Sequence, residues 1–170
     1  MSKKMTIRFL ALTCVAALVG GALAGCQSPV TGATDAQQEN RTYMTKVNVA
    51  VEKLNEGLAA FDDAVAEGGN PVIMRTQADK ALDALNELSA IEAPEAMADL
   101  QSGYTAGCEK LKDALNSYID LYTEIDSATD EAPFDYATYD DRLKAIQDAY
   151  NEGIEKLKAA DEEALKLNED

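Results

Sequence analysis

The feature that most constrains this fold is a spacing of three and four residues between apolar side chains, which recurs along four stretches of the chain. In the first stretch it is carried by Met44, Val47, Val51, Leu54, Leu58, Phe61 and Val65. Because an α-helix completes one turn every 3.6 residues, such side chains fall on one helix face. No stretch alternates apolar and polar residues as a half-buried strand does. The sequence therefore predicts an all-α protein.

Glycines and prolines interrupt the helical pattern at three places. A glycine pair allows a left-handed C-cap, an Asn-Pro pair supplies an N-cap and a first-turn proline, and later prolines separate the remaining helices. The residues concerned are Gly68, Gly69, Asn70, Pro71, Pro94 and Pro133, with Asp135 as a further N-cap. The predicted helices span about 35–67, 71–91, 94–126 and 136–167.

Four helices joined by short turns predict an antiparallel up-down bundle with crossing angles of about 20°. Helix two is short, about 30 Å long, whereas the other three are each about 50 Å long at 1.5 Å per residue. If helix three begins level with the end of helix two, it starts about 20 Å short of the beginning of helix one. The hairpin of helices three and four is then expected to protrude at the far end.

The amino terminus has the layout of an export signal. Lys3, Lys4 and Arg8 precede an apolar run at 9–24, which is shorter than the roughly 20 residues that a membrane-spanning helix needs. The run ends in Leu23-Ala24-Gly25-Cys26. These four residues resemble the lipobox of bacterial lipoproteins. The alternative is an uncleaved membrane anchor with an incidental cysteine.

The resemblance to the lipobox implies a covalent lipid anchor. In that family the residue matching Cys26 receives a diacylglycerol thioether, and the signal is cut just before it. It implies three parts: a cleaved signal peptide at 1–25, a lipidated cysteine and flexible tether at 26–34, and a helical bundle domain at 35–170. The protein would then lie on the extracytoplasmic face of the cell membrane, or on an outer membrane if the host has one. The helical period followed by Ala93-Pro94-Glu95 is also similar to that of many small helical lipoproteins.

Composition excludes several kinds of chemistry. The 170-residue chain has no His, so it contains no imidazole base and no His-ligated metal or haem. Its formal net charge of -16 argues against nucleic acid as a partner, because phosphate backbones attract basic surfaces. The chain contains no CxxC, HExxH or glycine-rich phosphate loop. We therefore predict no catalytic residue, no metal ligand and no cofactor.

The three cysteines have different expected fates. Cys14 leaves with the signal peptide and Cys26 carries the lipid, so Cys108 is left without an intramolecular partner. Because Cys108 lies on the apolar face of helix three, we expect it to act as a small hydrophobic residue and not as a reactive thiol.

An aromatic cluster is expected near the turn between helices three and four. Tyrosine-rich surfaces suit protein contacts, since each ring combines apolar area with a hydroxyl group. The alternative is that these rings only fill the end of a two-helix hairpin. The cluster, which we call the aromatic tip, comprises Tyr118, Tyr122, Phe134, Tyr136 and Tyr139.

Small residues are expected to meet between helices three and four. In an antiparallel hairpin, Gly107 and Cys108 lie opposite Gly153. Missing side chains on both helices indicate either close backbone packing or a small pocket for an apolar molecule or a cation. Carboxylates also cluster along the chain, as at Asp62-Asp63, but their spacing matches no calcium loop, which favours a solvated face over a metal site.

These observations lead to two functional hypotheses. The first is a membrane-anchored, non-enzymatic interaction or scaffold module that binds an envelope protein through the aromatic tip. The alternative is a lipoprotein that binds a small ligand or a cation at the interface of helices three and four.

Overall fold

A computed structural model describes residues 34–68 and 70–167 of the chain, and these residues form four α-helices and two short 3₁₀ turns, with no strand among them. The prediction of an all-α bundle of four helices, with a short second helix, is confirmed. The four helices are α1 (Asp35–Ala66), α2 (Pro71–Ser89), α3 (Ala98–Ser127) and α4 (Tyr139–Lys166).

The helix ends form where the sequence places its capping residues. Thr34 and Gln37 form a capping box at the start of α1, and Asn70 accepts a hydrogen bond from the backbone N–H of Ile73 at the start of α2. Gly68 has a φ of 69°, which is the left-handed conformation that ends α1. Local chemistry therefore accounts for both sides of the first turn.

Helices α3 and α4 begin three or four residues later than the sequence indicates. A 3₁₀ turn at Glu95–Met97 precedes α3, and a second turn at Tyr136–Thr138 precedes α4. Asp135 caps this second turn by accepting a hydrogen bond from the backbone N–H of Ala137. Short 3₁₀ turns are common at helix starts.

Contacts between neighbouring helices establish their relative directions. Lys53 of α1 pairs with Glu87 of α2 at 2.6 Å, and Gly57 packs on the backbone of Ala81. A later residue of α1 therefore contacts an earlier residue of α2, as in an antiparallel pair of helices. Contacts between α3 and α4 follow the same rule, from Gly103 beside Ala160 to Lys110 paired with Glu152 at 2.9 Å. Each helical hairpin therefore has its two helices running in opposite directions.

The core is a single apolar cluster that runs along all four helices. The periodic residues of the sequence are buried in it, and Leu54, Phe61, Leu85, Leu111, Leu115 and Leu157 have no measurable exposure. Burial of this apolar surface is the main favourable term in folding.

The expected protrusion of the second hairpin is largely absent. The rings of Phe61 on α1 and Tyr118 on α3 pack together, which aligns the two helices. Counted from these rings, α3 begins about 9 Å short of the start of α1 and extends about 6 Å beyond its end. Residues 90–94 lie between α2 and the turn before α3, outside any helix. They carry the chain beyond the end of α2, farther toward the start of α1, before α3 begins. The prediction assumed that α3 begins level with the end of α2, and it therefore left out the length of this non-helical segment.

Candidate functional site

Two of the five residues of the aromatic tip belong to the core. Tyr118 is 1% exposed and Tyr122 is 4% exposed. Their rings stack at a centroid distance of 4.6 Å, and Phe61 of α1 meets Tyr118 edge to face at 5.4 Å. The expectation that Tyr118 and Tyr122 present rings to a partner is corrected, because the end of α1 covers them.

The other three residues of the aromatic tip are nearer the surface. Tyr139 is half-buried, and its hydroxyl lies 2.9 Å from that of Tyr122. Phe134 is also half-buried, and its ring packs edge to face on Tyr136 at 5.0 Å. Tyr136 is 45% exposed, so it alone of the five presents a large part of its ring to solvent.

Exposed apolar side chains also occur at the start of α2. Val72 is 74% exposed and Ile73 is 49% exposed. Tyr43 lies near Tyr104 in the first halves of α1 and α3, and Phe61 packs on Tyr118 in their second halves, so the two helices run in the same direction. The α1–α2 turn therefore lies at the same end of the bundle as the α3–α4 connection. We call Val72, Ile73 and Tyr136 the distal apolar residues.

The small residues of α3 and α4 form a tight contact and no pocket. A Cβ atom added to Gly107 would lie 2.7 Å from Leu157 Cδ2, and one added to Gly153 would lie 2.7 Å from Leu111 Cγ. The expected small pocket at Gly107, Cys108 and Gly153 is therefore corrected in favour of close packing. Leucine side chains from the facing helix fill the space that the glycines leave.

Cys108 lies inside this packed region. It is a free cysteine with no exposed surface. Burial raises the pKa of its thiol to about 11, although the nearby Lys112 acts in the opposite direction. Because the thiolate is the reactive form, Cys108 is poorly suited to nucleophilic chemistry.

Asp62 of α1 is half-buried with both of its carboxylate oxygens shielded, which the sequence does not predict. Both carboxylate oxygens of Asp62 are shielded from solvent and have no hydrogen-bond partner among the described residues. Burial, with a smaller contribution from Asp63, raises the pKa of Asp62 to about 6. The sequence predicts a solvated face for Asp62-Asp63, and this prediction is wrong for Asp62. Asp62 directly follows Phe61 on the core face of α1, and this position could have indicated that its side chain is shielded.

A second shielded carboxyl group lies near the opposite end of the bundle. The hydroxyl of Tyr104 donates a hydrogen bond to Asp161 Oδ1 at 2.5 Å. Burial raises the pKa of Asp161, and the hydrogen bond from Tyr104 partly offsets that rise. Burial and the neighbouring carboxylate also raise the pKa of Tyr104. This pair links α3 to α4 and exposes no nucleophile.

A groove of 340 Å³ lies between α3 and α4, about two turns from the packed glycines. Small and apolar side chains line part of it, including Ala114, Ile146 and Ala149. Asp113 and Asp120 add two carboxylates that belong to no ion pair of the described residues. Arg142 also lines the groove, which therefore combines apolar surface with charged groups of both signs.

The described residues contain no group of three or more His, Cys, Asp or Glu side chains arranged to hold a metal ion. Within the same residues, each helix is too polar or too short to span a membrane. The lipobox-like residues 23–26, including Cys26, lie outside the described part of the chain.

Comparison with known protein families, curated proteins and solved structures found no match to this chain.

Proposed function

We propose that this protein is a lipid-anchored module of the bacterial cell envelope that acts by binding and not by catalysis. The observation that carries the proposal is Leu23-Ala24-Gly25-Cys26 at the end of a charged and then apolar amino terminus. The helical domain begins at Asp35, and the intervening residues, rich in Ser, Pro, Thr and Gly, suit a short tether. Acyl chains at Cys26 would hold the domain at the extracytoplasmic membrane surface.

Metabolic labelling with radioactive palmitate tests the anchor. We expect label on the wild-type protein and on Cys108→Ser, and no label on Cys26→Ser. The Cys108→Ser variant controls for loss of a cysteine elsewhere in the chain. An unlabelled wild-type product that still begins at Met1 would contradict the anchor.

The distal apolar residues are the surface that best supports a protein partner. They lie at the end of the bundle away from the start of α1, where the proposed tether would join the domain. Val72, Ile73 and Tyr136 are each at least 45% exposed, and exposed apolar and aromatic groups commonly anchor protein interfaces. This surface replaces the buried part of the aromatic tip in the interaction hypothesis.

Crosslinking on intact cells tests this surface. We expect Ile73→Ser and Tyr136→Ser to lose the crosslinked envelope protein that the wild-type chain captures. Val49→Ser is the matched control, since Val49 and Ile73 are both 49% exposed but Val49 lies within α1. The same crosslinked species in all four proteins would remove the distal end from the proposal.

The groove between α3 and α4 supports a second candidate function, the binding of a small ligand. It lies at the interface of the two helices that the alternative hypothesis named, although not at Gly107, Cys108 and Gly153. Its combination of apolar lining and charged groups is typical of small-molecule sites.

A further inference from the structure

We propose that the groove between α3 and α4 binds a linear aliphatic polyamine, a molecule with ammonium groups along a hydrocarbon chain. The inference rests on the second candidate function and names the class of ligand. It does not depend on the lipid anchor or on the distal apolar residues.

The shape of the groove favours a small and partly apolar ligand. Its volume of 340 Å³ is near the lower end of the range for small-molecule sites. Ala114 and Ile146 are buried beneath it, whereas Ala145 is exposed and Ala149 partly exposed. A methylene chain can therefore replace water against the side chains of Ala145 and Ala149.

The two carboxylates of the groove are arranged for a ligand with more than one positive charge. Asp113 and Asp120 are seven residues apart on α3, which places them on the same side of the helix and about 10 Å apart along its axis. Both are exposed, and neither is paired with a cation of the described residues. An extended polyamine can place one ammonium group near each carboxylate.

Cations near the groove are already engaged elsewhere. Arg142 itself lines the groove, but its guanidinium group forms an ion pair with Glu124 and lies 5.8 Å from the centre of the Phe134 ring. Lys110, one turn before Asp113 on α3, pairs with Glu152 of α4 at 2.9 Å. A positively charged ligand therefore meets two unneutralised carboxylates, whereas an anionic ligand would be repelled by them.

Calorimetric titration of spermidine into the full chain, held in detergent micelles at about 0.15 M salt, tests the proposal. We expect saturable binding with one site, and weaker binding of butylamine, which has a single ammonium group. The double variant Asp113→Asn/Asp120→Asn should lose about tenfold in affinity, since an exposed ion pair contributes a few-fold each. Ala149→Leu should also weaken binding because it fills the groove without changing charge.

The charge-matched control is Asp126→Asn/Asp130→Asn, which removes two exposed carboxylates at the α3–α4 connection. It should bind spermidine as the wild-type chain does. Equal losses in both double variants would overturn the proposal, because they would show general attraction to a chain of charge -16. Absence of spermidine binding, or full binding by Ala149→Leu, would also overturn it. Binding of a lysine-rich peptide without spermidine binding would replace the polyamine with a peptide. Palmitate labelling reports on the anchor separately, so failure of one test leaves the other intact.

Discussion

Two carboxyl groups in this bundle occupy positions where charge is costly, and their environments differ. Asp161 has a hydrogen-bond donor in Tyr104, whereas both oxygens of Asp62 lack one among the described residues. A shielded carboxylate without donors is destabilising when ionised, because it loses hydration and gains nothing in return. Asp62 is therefore a point where the fold loses stability at neutral pH.

We expect Asp62→Asn to stabilise the protein at pH 7.5 by about 1 kcal/mol, after allowance for partial solvent access. The folded pKa of Asp62, about 6, exceeds the ordinary aspartate value of 3.8, so the folded state holds its proton more tightly. Below about pH 4, Asp62 is protonated in both the folded and the unfolded state and does not lower the stability of the fold. As the pH rises from about 4 to about 6, the free energy of unfolding decreases, and the loss is complete above the folded pKa. Urea unfolding followed by circular dichroism between pH 3.5 and 7.5 measures the difference between variant and wild type.

The control for Asp62→Asn is Asp83→Asn, which removes an exposed carboxylate from α2. Its effect should stay within about 0.5 kcal/mol, as is usual for surface changes. If the stability difference between wild type and Asp62→Asn is the same at pH 3.5 and at pH 7.5, the account of Asp62 is incorrect.

At the scale of helices, glycines occur at close contacts between neighbouring helices, and the closeness of the contact differs from one glycine to the next. A Cβ atom on Gly57 would lie 2.6 Å from the backbone N of Ala81 and 2.8 Å from its Cα. A Cβ atom on Gly103 would lie 3.3 Å from Ala160 Cβ, which requires only a small shift. Both glycines lie within helices, where alanine is intrinsically better by about 1 kcal/mol. Replacing each glycine with alanine therefore gives the same gain in helix propensity but a different steric cost, so the two variants distinguish propensity from packing.

We expect Gly57→Ala to destabilise the protein by about 2 kcal/mol, because α1 and α2 must move apart to admit the methyl group. Gly103→Ala should be neutral or stabilising by up to about 1 kcal/mol, because the propensity gain outweighs a small displacement. Thermal unfolding should show a melting temperature lower by about 6 °C for the first variant, at roughly 3 °C per kcal/mol. A Gly57→Ala protein as stable as Gly103→Ala would argue against the close α1–α2 contact.

At the scale of the molecule, negative charge is only weakly balanced by ion pairs. The chain has 31 acidic and 15 basic residues, and the ion pairs of the described residues join side chains that are 38–72% exposed. Exposed pairs contribute little, and salt screens them. We therefore expect repulsion among the excess carboxylates to outweigh the attraction within these pairs.

We expect the melting temperature at pH 7.5 to rise by a few degrees when sodium chloride is increased from about 0.01 M to about 0.5 M, since salt screens the repulsion. Calorimetric unfolding at the two salt concentrations measures the change. The increase should shrink near the isoelectric point of about 4.3, where the net charge vanishes. A melting temperature that falls with salt at pH 7.5 would mean that the ion pairs dominate.

Much of the secondary structure was predictable because its causes are local. The apolar period along α1, the glycine after it and the Asn-Pro pair before α2 each act over one or two turns. The predicted starts of α3 and α4 were three or four residues too early, because a 3₁₀ turn precedes each helix. No residue near Pro94 or Tyr136 distinguishes such a turn from the first turn of an α-helix. Close packing at Gly107 and Gly153 was one of two interpretations, and the structure selects it.

The candidate site was harder to predict, because exposure depends on which elements meet. Tyr122 and Tyr136 are both tyrosines near one turn, yet one is 4% exposed and the other 45%. Asp62 is shielded while Asp63, the next residue, is exposed. Small residues along α3 and α4 pack tightly at Gly153, whereas near Ala149 they border a groove. These differences depend on residues far away in the chain.

The amino-acid sequence by itself determined the helical class, the number of helices and most of their ends, because hydrophobic period and capping act between neighbours in the chain. Only the tertiary structure decided how far the two hairpins are offset, since this depends on the non-helical return at residues 90–94 and on the contact between Phe61 and Tyr118. Tyr118, packed on Phe61 of α1, and Tyr122 are buried in this arrangement. Side-chain exposure is set by such distant contacts, whereas helix formation is set by adjacent turns.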